Sequence, residues 1–144
     1  MADILTAVSI LVAAITWLMT RLNERSDRRV AHTATVIASL STSERLGASS
    51  AEVTRLINSG RPVTAEIDPK TESHVIDILD YYEFVTALCA GGVVDKDTIT
   101  LLRGRLMQRT WAICEPYIMH TRTVQARDVY AGFERFVKNI EFKD

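Results

Sequence analysis

DPKTESHVIDILDYYEFVTALCAGG, residues 68–92, decides the fold class. Asp68 offers a carboxylate to the free N–H groups of a first helical turn. Pro69 follows at the one helical position where a missing N–H costs nothing. Val75, Ile78, Leu79, Tyr82, Val85 and Cys89 then recur at three- and four-residue steps, which places them on one helix face. Gly91-Gly92 stops the helix.

Toward the C-terminus, Val93-Val94 bridges a short turn and Asp95 caps a fourth helix. Ile99, Leu102, Leu106, Thr110, Ile113 and Tyr117 form one stripe on it, and Met107, Trp111, Cys114 and Ile118 a second beside it. So wide an apolar face implies a central helix with at least two neighbours. Pro116 is expected to kink or end it. A last short helix carries Val129, Phe133, Phe136 and Ile140. The tight Gly-Gly turn predicts that helices three and four are antiparallel neighbours. Their charges also match: Glu66 to Glu83 holds six acids and one lysine, and Lys96 to Arg109 four bases and one acid. The expectation is pairing between the two helices that sets their register.

Toward the N-terminus, residues 61–67 read as loop. Before them a second helix carries Leu46, Val53, Leu56 and Ile57. It opens on Ser41 with Glu44 three residues on, a capping box, and closes at Ser59-Gly60-Arg61-Pro62. No segment alternates with period two, so the chain reads as all-α. No Pro or Gly occurs between Met1 and Leu46. The first helix is therefore expected to run on continuously, with Val30, Ala34, Ile37 and Leu40 as its stripe.

The front of that helix is unusual. Ile4 to Thr20 carries no charge, and at 1.5 Å per residue it spans roughly 25 Å, a little under a hydrocarbon core of about 30 Å. A cleaved signal peptide is disfavoured by Asp3, which stands where a basic flank belongs. A buried or oligomerisation helix is a second reading, since the run is short and holds Thr6, Ser9 and Thr16. The preferred reading is a transmembrane anchor, with Ile4, Leu11, Trp17 and Leu18 in or at the edge of the bilayer. Ala7, Ala13 and Ala14 are the small residues that let such helices approach one another. Arg21, Arg25, Arg28 and Arg29 crowd the C-terminal flank. They would hold the following chain on the inner side of a cytoplasmic (inner) membrane, with the N-terminus outside, or engage anionic headgroups. The organisation expected is an anchor over 1–22, a helical stalk over 23–40 and a cytoplasmic helical bundle over 41–144.

Composition agrees with this. The chain of 144 residues is 47% hydrophobic with a formal net charge of −1, so it lacks the basic footprint of a nucleic-acid binder. Cys89 and Cys114 lie in apolar helical stretches and read as buried thiols of a reducing compartment. His32, His74 and His120 are far apart and make no ligand pair at metal spacing. No glycine loop accompanies a strand and a Lys-Ser/Thr signature, so no phosphate cradle is expected. Cys114 and His120 are separated so as not to meet on one helix. Asp77, Asp80 and Glu83 drift round the third helix like a solvated or salt-bridged face. No cofactor, metal, small-molecule substrate or catalytic set is therefore expected. Most of the aromatics read as core, but Tyr81 and Phe84 lie off the main stripe. With Trp111 they form a candidate partner-binding patch.

Residues 80–122 carry a likeness to known proteins. Tyr81-Tyr82-Glu83-Phe84 precedes the Gly-Gly turn, followed by Val94-Asp95, Leu101-Leu102, Gly104-Arg105, Trp111, Pro116-Tyr117-Ile118 and Arg122. The chain resembles a family of small bacterial and phage-encoded proteins that carry a domain of unknown function. The resemblance implies one transmembrane helix and a helical cytoplasmic domain, and it supplies no catalytic residues. The expected function is a membrane-anchored, non-enzymatic interaction, scaffold or sensor protein. Its partners would be a lipid bilayer and either an unknown protein or a second copy of itself. The alternative is a factor in phage–host conflict, acting on the membrane in abortive infection or superinfection exclusion.

Overall fold

A computed structural model describes residues 2–141; within α1, the side chains of residues 2–13, Leu22, Asn23, Arg25 and Ser41 lie outside that description. The described residues form five α-helices and no strand: α1 (Ala2–Thr42), α2 (Glu44–Ser59), α3 (Pro69–Ala90), α4 (Lys96–Val124) and α5 (Ala131–Lys138).

The helix boundaries follow the local chemistry, with one shift. α2 is capped by Ser43, whose Oγ accepts from the Leu46 N–H at 3.3 Å. The expected Ser41 box is displaced because α1 continues to Thr42. Gly60 closes α2 in the left-handed region at φ 66°, where a β-carbon is penalised. Asp68 caps α3 as its sequence implies, accepting from Thr71 N at 3.0 Å. Asp95 caps α4 through Thr98 N at 2.8 Å and also takes the Thr98 hydroxyl at 2.6 Å. These two bonds hold the Asp95 carboxyl below the usual carboxylate range.

α4 does not end at Pro116 but runs on to Val124. A proline inside a helix costs about 3 kcal/mol. Burial on both sides of it offsets that cost: Trp111 and Cys114 before, Tyr117, Ile118 and Thr121 after.

The core joins α2, α3, α4 and α5 with the C-terminal part of α1. Phe133 meets the edge of Trp111 at 5.6 Å between centroids and lies tilted against Tyr82 at 5.2 Å. Val75, Leu79, Ile99, Met107, Cys114 and Ile118 are fully buried around them. α3 packs mainly on α2 and α5 and only lightly on α4. The α3 acids Asp77, Asp80 and Glu83 meet Arg45 of α2, Tyr130 and the start of α5.

The expected transmembrane anchor is overturned. Among the described residues, no helix is long and apolar enough to cross a membrane. The uncharged run ends at Thr20. Beyond it α1 carries Arg21, Glu24, Asp27, Arg28 and Arg29. Ile4 and Leu11, named as anchor residues, have side chains outside the described residues.

Among the described residues, the attachment of α1 to the rest is confined to its last third. Thr33, which is 1% exposed, donates to the Arg29 carbonyl at 2.7 Å and accepts from the Asp95 N–H at 2.7 Å. Tyr81 donates its hydroxyl to the Val36 carbonyl at 2.7 Å. Leu40 enters the core, with Val36 and Ile37 packed at its edge. From Ala14 to His32 every described residue is exposed.

Candidate functional site

α3 carries its carboxylates in a ladder, and each rung holds a different part of the fold. Glu72 accepts the Tyr117 hydroxyl of α4 at 2.9 Å. Asp77 accepts Arg45 Nε at 2.9 Å and the Ser49 hydroxyl at 3.0 Å, both from α2. Asp80 accepts the Tyr130 hydroxyl at 3.0 Å. Glu83 accepts the backbone N–H groups of Gly132 at 3.1 Å and Phe133 at 2.6 Å.

The last rung is a helix cap supplied from another element. Tyr130, the residue before α5, sits in the left-handed region at φ 57° and its side chain makes no capping bond. The free N–H groups at the start of α5 are instead met by Glu83, whose negative charge also suits the positive end of the helix. Gly132 leaves room for this approach. A β-carbon there would lie 2.7 Å from Glu83 Oε1.

Arg122 secures the other side of α5. It donates Nε to the Val129 carbonyl at 2.8 Å and a terminal nitrogen to Glu134 at 2.7 Å, and its guanidinium lies 6.0 Å from the centroid of the Trp111 ring. Lys138 and Arg122, hydrogen-bonded to Glu134, hold its carboxyl below the usual range.

The grouping of Ser49, His74 and Asp77 superficially suggests a nucleophile with its base. The order is inverted. In a catalytic triad the histidine bridges serine and carboxylate. Here Ser49 stands in the middle, 2.9 Å from His74 Nδ1 and 3.0 Å from Asp77, and Ser49 is fully buried. Ser49 donates its one proton to Asp77, so His74 Nδ1–H donates to Ser49 Oγ. Arg45, hydrogen-bonded to Asp77, lowers the pKa of that carboxyl, with Ser49 adding to the effect against burial. The arrangement orients a histidine and ties α2 to α3.

The two thiols differ in access. Burial pushes Cys114 up to about 12 and Cys89 up to about 11, so neither is a ready thiolate at neutral pH. Among the described residues, no group of three or more His, Cys, Asp and Glu side chains could hold a metal ion.

The expected partner patch is dispersed. Trp111 is 7% exposed and belongs to the core. Tyr81 is half-buried and spends its hydroxyl on α1. Phe84 alone remains in solvent, 56% exposed. The larger apolar display lies elsewhere, on α1. Ile15, Trp17, Leu18 and Met19 are 52–62% exposed, and Val30 is exposed as well. Trp17 and Leu18 were expected at a membrane; they stand on a helix projecting from the folded body. Of the flanking arginines, Arg21 stacks 5.4 Å over the Trp17 ring, Arg28 reaches Glu24 at 3.7 Å, and Arg29 lies against Gly92. Arg25 has its side chain outside the described residues.

The sequence carried no clear signal for the Glu83 cap. Its one visible trace was the absence of any Ser, Thr, Asp or Asn at position 130, directly before a short helix.

Fold and polar lattice together define an all-α protein: a compact body of helices with α1 extending from it. Residues 4–140 match the family model described as "Domain of unknown function (DUF4760)". The chain belongs to that family. No curated protein and no solved structure matches it.

Proposed function

We propose that this chain is a non-enzymatic interaction protein whose body holds α1 out as an arm for a protein partner. One observation carries the reading: α1 leaves the body as a continuous helix with Ile15, Trp17, Leu18 and Met19 in water. Burying a large apolar side chain is worth about 1.5–3 kcal/mol, so four left exposed forgo a substantial stabilisation that a partner would recover. The body supports such a role by rigidity. Thr33, Tyr81 and Leu40 fix the base of the arm against α3 and α4, so its direction is set before a partner arrives.

The test is a photo-reactive side chain introduced at Met19 in the full chain, with the same group at exposed Arg127 as control. Discrete heavier adducts from position 19 in intact cells, lost on Ile15→Asp, are the expected result. No adduct from the arm, or adducts indifferent to Ile15→Asp, refutes the reading.

A further inference from the structure

We propose that the hollow between the end of α3, the start of α4 and α5 binds a small organic carboxylate, an acid with a short apolar body. The inference concerns the body of the protein and does not rest on the reading of α1.

The hollow exists because small residues meet there. α3 ends on Ala87 and Ala90, one turn apart, and α5 brings Gly132 to the same place. Larger side chains would close the gap between the helices; these leave about 210 Å³ open. An engineered apolar cavity of ~150 Å³ takes up benzene, so the space admits a six-membered ring or a short alkyl chain. Its walls suit such a body. Phe136, only 7% exposed, forms one of them and the half-buried Cys89 another. Thr86, also in the lining, spends its hydroxyl on the Glu83 carbonyl at 2.9 Å, and Asn139 donates its amide nitrogen to the Arg135 carbonyl at 2.9 Å. What the lining offers a ligand's body is therefore mainly apolar.

The mouth is positive. Lys96 of α4 and Arg135 of α5 both line the hollow, and both are exposed. Lys96 Nζ stands 5.9 Å from the centroid of the Phe136 ring, which keeps the ammonium beside the apolar wall. Among the described residues neither cation makes an ion pair. The nearby acids are committed elsewhere or lie outside. Asp95 accepts from the N–H and hydroxyl of Thr98. Glu134 holds Arg122 and Lys138. Glu83 places its two oxygens on the N–H groups of Gly132 and Phe133. Asp97 is exposed and is not part of the lining.

An apolar hollow with two such cations at its mouth selects by charge and shape together. An apolar amine is repelled. A neutral alcohol gains burial without charge pairing, and inorganic phosphate gains pairing without burial. A carboxylate on a ring or short chain gains both. Its body fills the hollow, and its head meets the Arg135 fork, which suits a carboxylate through two parallel N–H bonds, with Lys96 as a point charge beside it.

Titration of the isotope-labelled full chain at pH 7 and low salt, followed by amide NMR, tests the proposal. Benzoate or hexanoate should shift Ala87, Ala90, Lys96, Gly132 and Asn139 saturably, with a Kd of about 1 mM or tighter. Benzyl alcohol, hexylamine and inorganic phosphate should each bind at least ~5-fold more weakly. Lys96→Gln and Arg135→Gln should each weaken the acid at least ~3-fold and together at least ~10-fold, while Lys96→Arg stays close to wild type. Ala90→Leu, which fills the hollow from an exposed position, should abolish binding with the circular dichroism spectrum unchanged. Cys89 reports independently: saturating acid should slow its alkylation by iodoacetamide at pH 9, read by mass spectrometry. The proposal is overturned by the absence of saturable shifts from either acid at ~10 mM, or by benzyl alcohol or phosphate binding as tightly as the acid. It is equally overturned by binding that survives Ala90→Leu or ignores the paired Gln substitutions, or by Cys89 alkylation that the acid leaves unchanged. Any of these results leaves the interaction reading of α1 standing.

Discussion

Replacing Glu83 should detach α5 from the body, and the size of the effect can be worked from the geometry. Its carboxylate accepts two backbone N–H groups, at 3.1 Å from Gly132 and 2.6 Å from Phe133. Hydrogen bonds to a charged group are worth roughly 1.5–3 kcal/mol each, and loss of an N-cap alone costs about 0.5–2. Because the site is only half-buried, water replaces part of what is lost. Glu83→Ala is therefore expected to destabilise by about 2–4 kcal/mol, a fall in Tm of roughly 8–16 °C for a domain of this size. Glu83→Gln keeps an acceptor without the charge and should lose about half as much. Gly132→Ala provides the sharper test. In wild type its β-carbon would stand 2.7 Å from Glu83 Oε1, so the carboxylate must withdraw, at a cost of about 1–2 kcal/mol. In the Glu83→Ala background the obstruction is gone. There Gly132→Ala should stabilise by about 0.5–1 kcal/mol through helix propensity alone. The double-mutant cycle, measured by urea unfolding, should give a coupling of about 1.5–3 kcal/mol. Amide exchange of residues 133–137 should accelerate in Glu83→Ala before the rest of the body. Equal effects of Gly132→Ala in both backgrounds, or a Glu83→Ala variant within ~0.5 kcal/mol of wild type, would refute the trans-cap.

Three further outcomes are expected. Thr33→Val leaves the Asp95 N–H without its acceptor in a closed site and should cost about 1–3 kcal/mol in chemical unfolding; a neutral result would show that α1 is not held there. Asp77→Asn should reveal a pH signature. Arg45 lowers the carboxyl's folded pKa, so its stabilisation is present above the ordinary carboxylate range and is lost as pH falls through the lowered value. The gap in stability between wild type and Asp77→Asn should be full near pH 7 and close in strong acid, and a constant gap would contradict the assignment. The dispersed aromatic patch should separate by burial: Trp111→Ala costing about 3–5 kcal/mol, Tyr81→Phe about 0.5–1.5, and Phe84→Ala within about 0.5. Similar losses at all three would argue for the single patch that the sequence suggests.

Much of the helical framework was legible in the chain because its causes are local. Asp68-Pro69 and Asp95 start helices by offering acceptors to N–H groups two or three residues away. Gly60 stops one because it alone takes the left-handed turn without penalty. The stripe from Val75 to Val85 is buried as its spacing requires. The reading failed where a residue's role depends on a partner far along the chain. Asp77, Asp80 and Glu83 looked like a solvated face because their partners, Arg45, Tyr130 and the N–H groups of α5, lie roughly thirty to fifty positions away. Trp111 was placed with Phe84 by proximity in type, whereas packing put Phe133 against it.

α1 shows the division most plainly. Absence of Gly and Pro was enough to make it one continuous helix, since backbone continuity is a property of consecutive residues. Apolar content alone suggested a bilayer. Only the tertiary structure shows that its last third is pinned to a folded body by Thr33, Tyr81 and Leu40 while the described residues before them stand clear. Local sequence determines which bonds a segment can make with itself; what it leans on is decided by surfaces that meet only after the chain has folded.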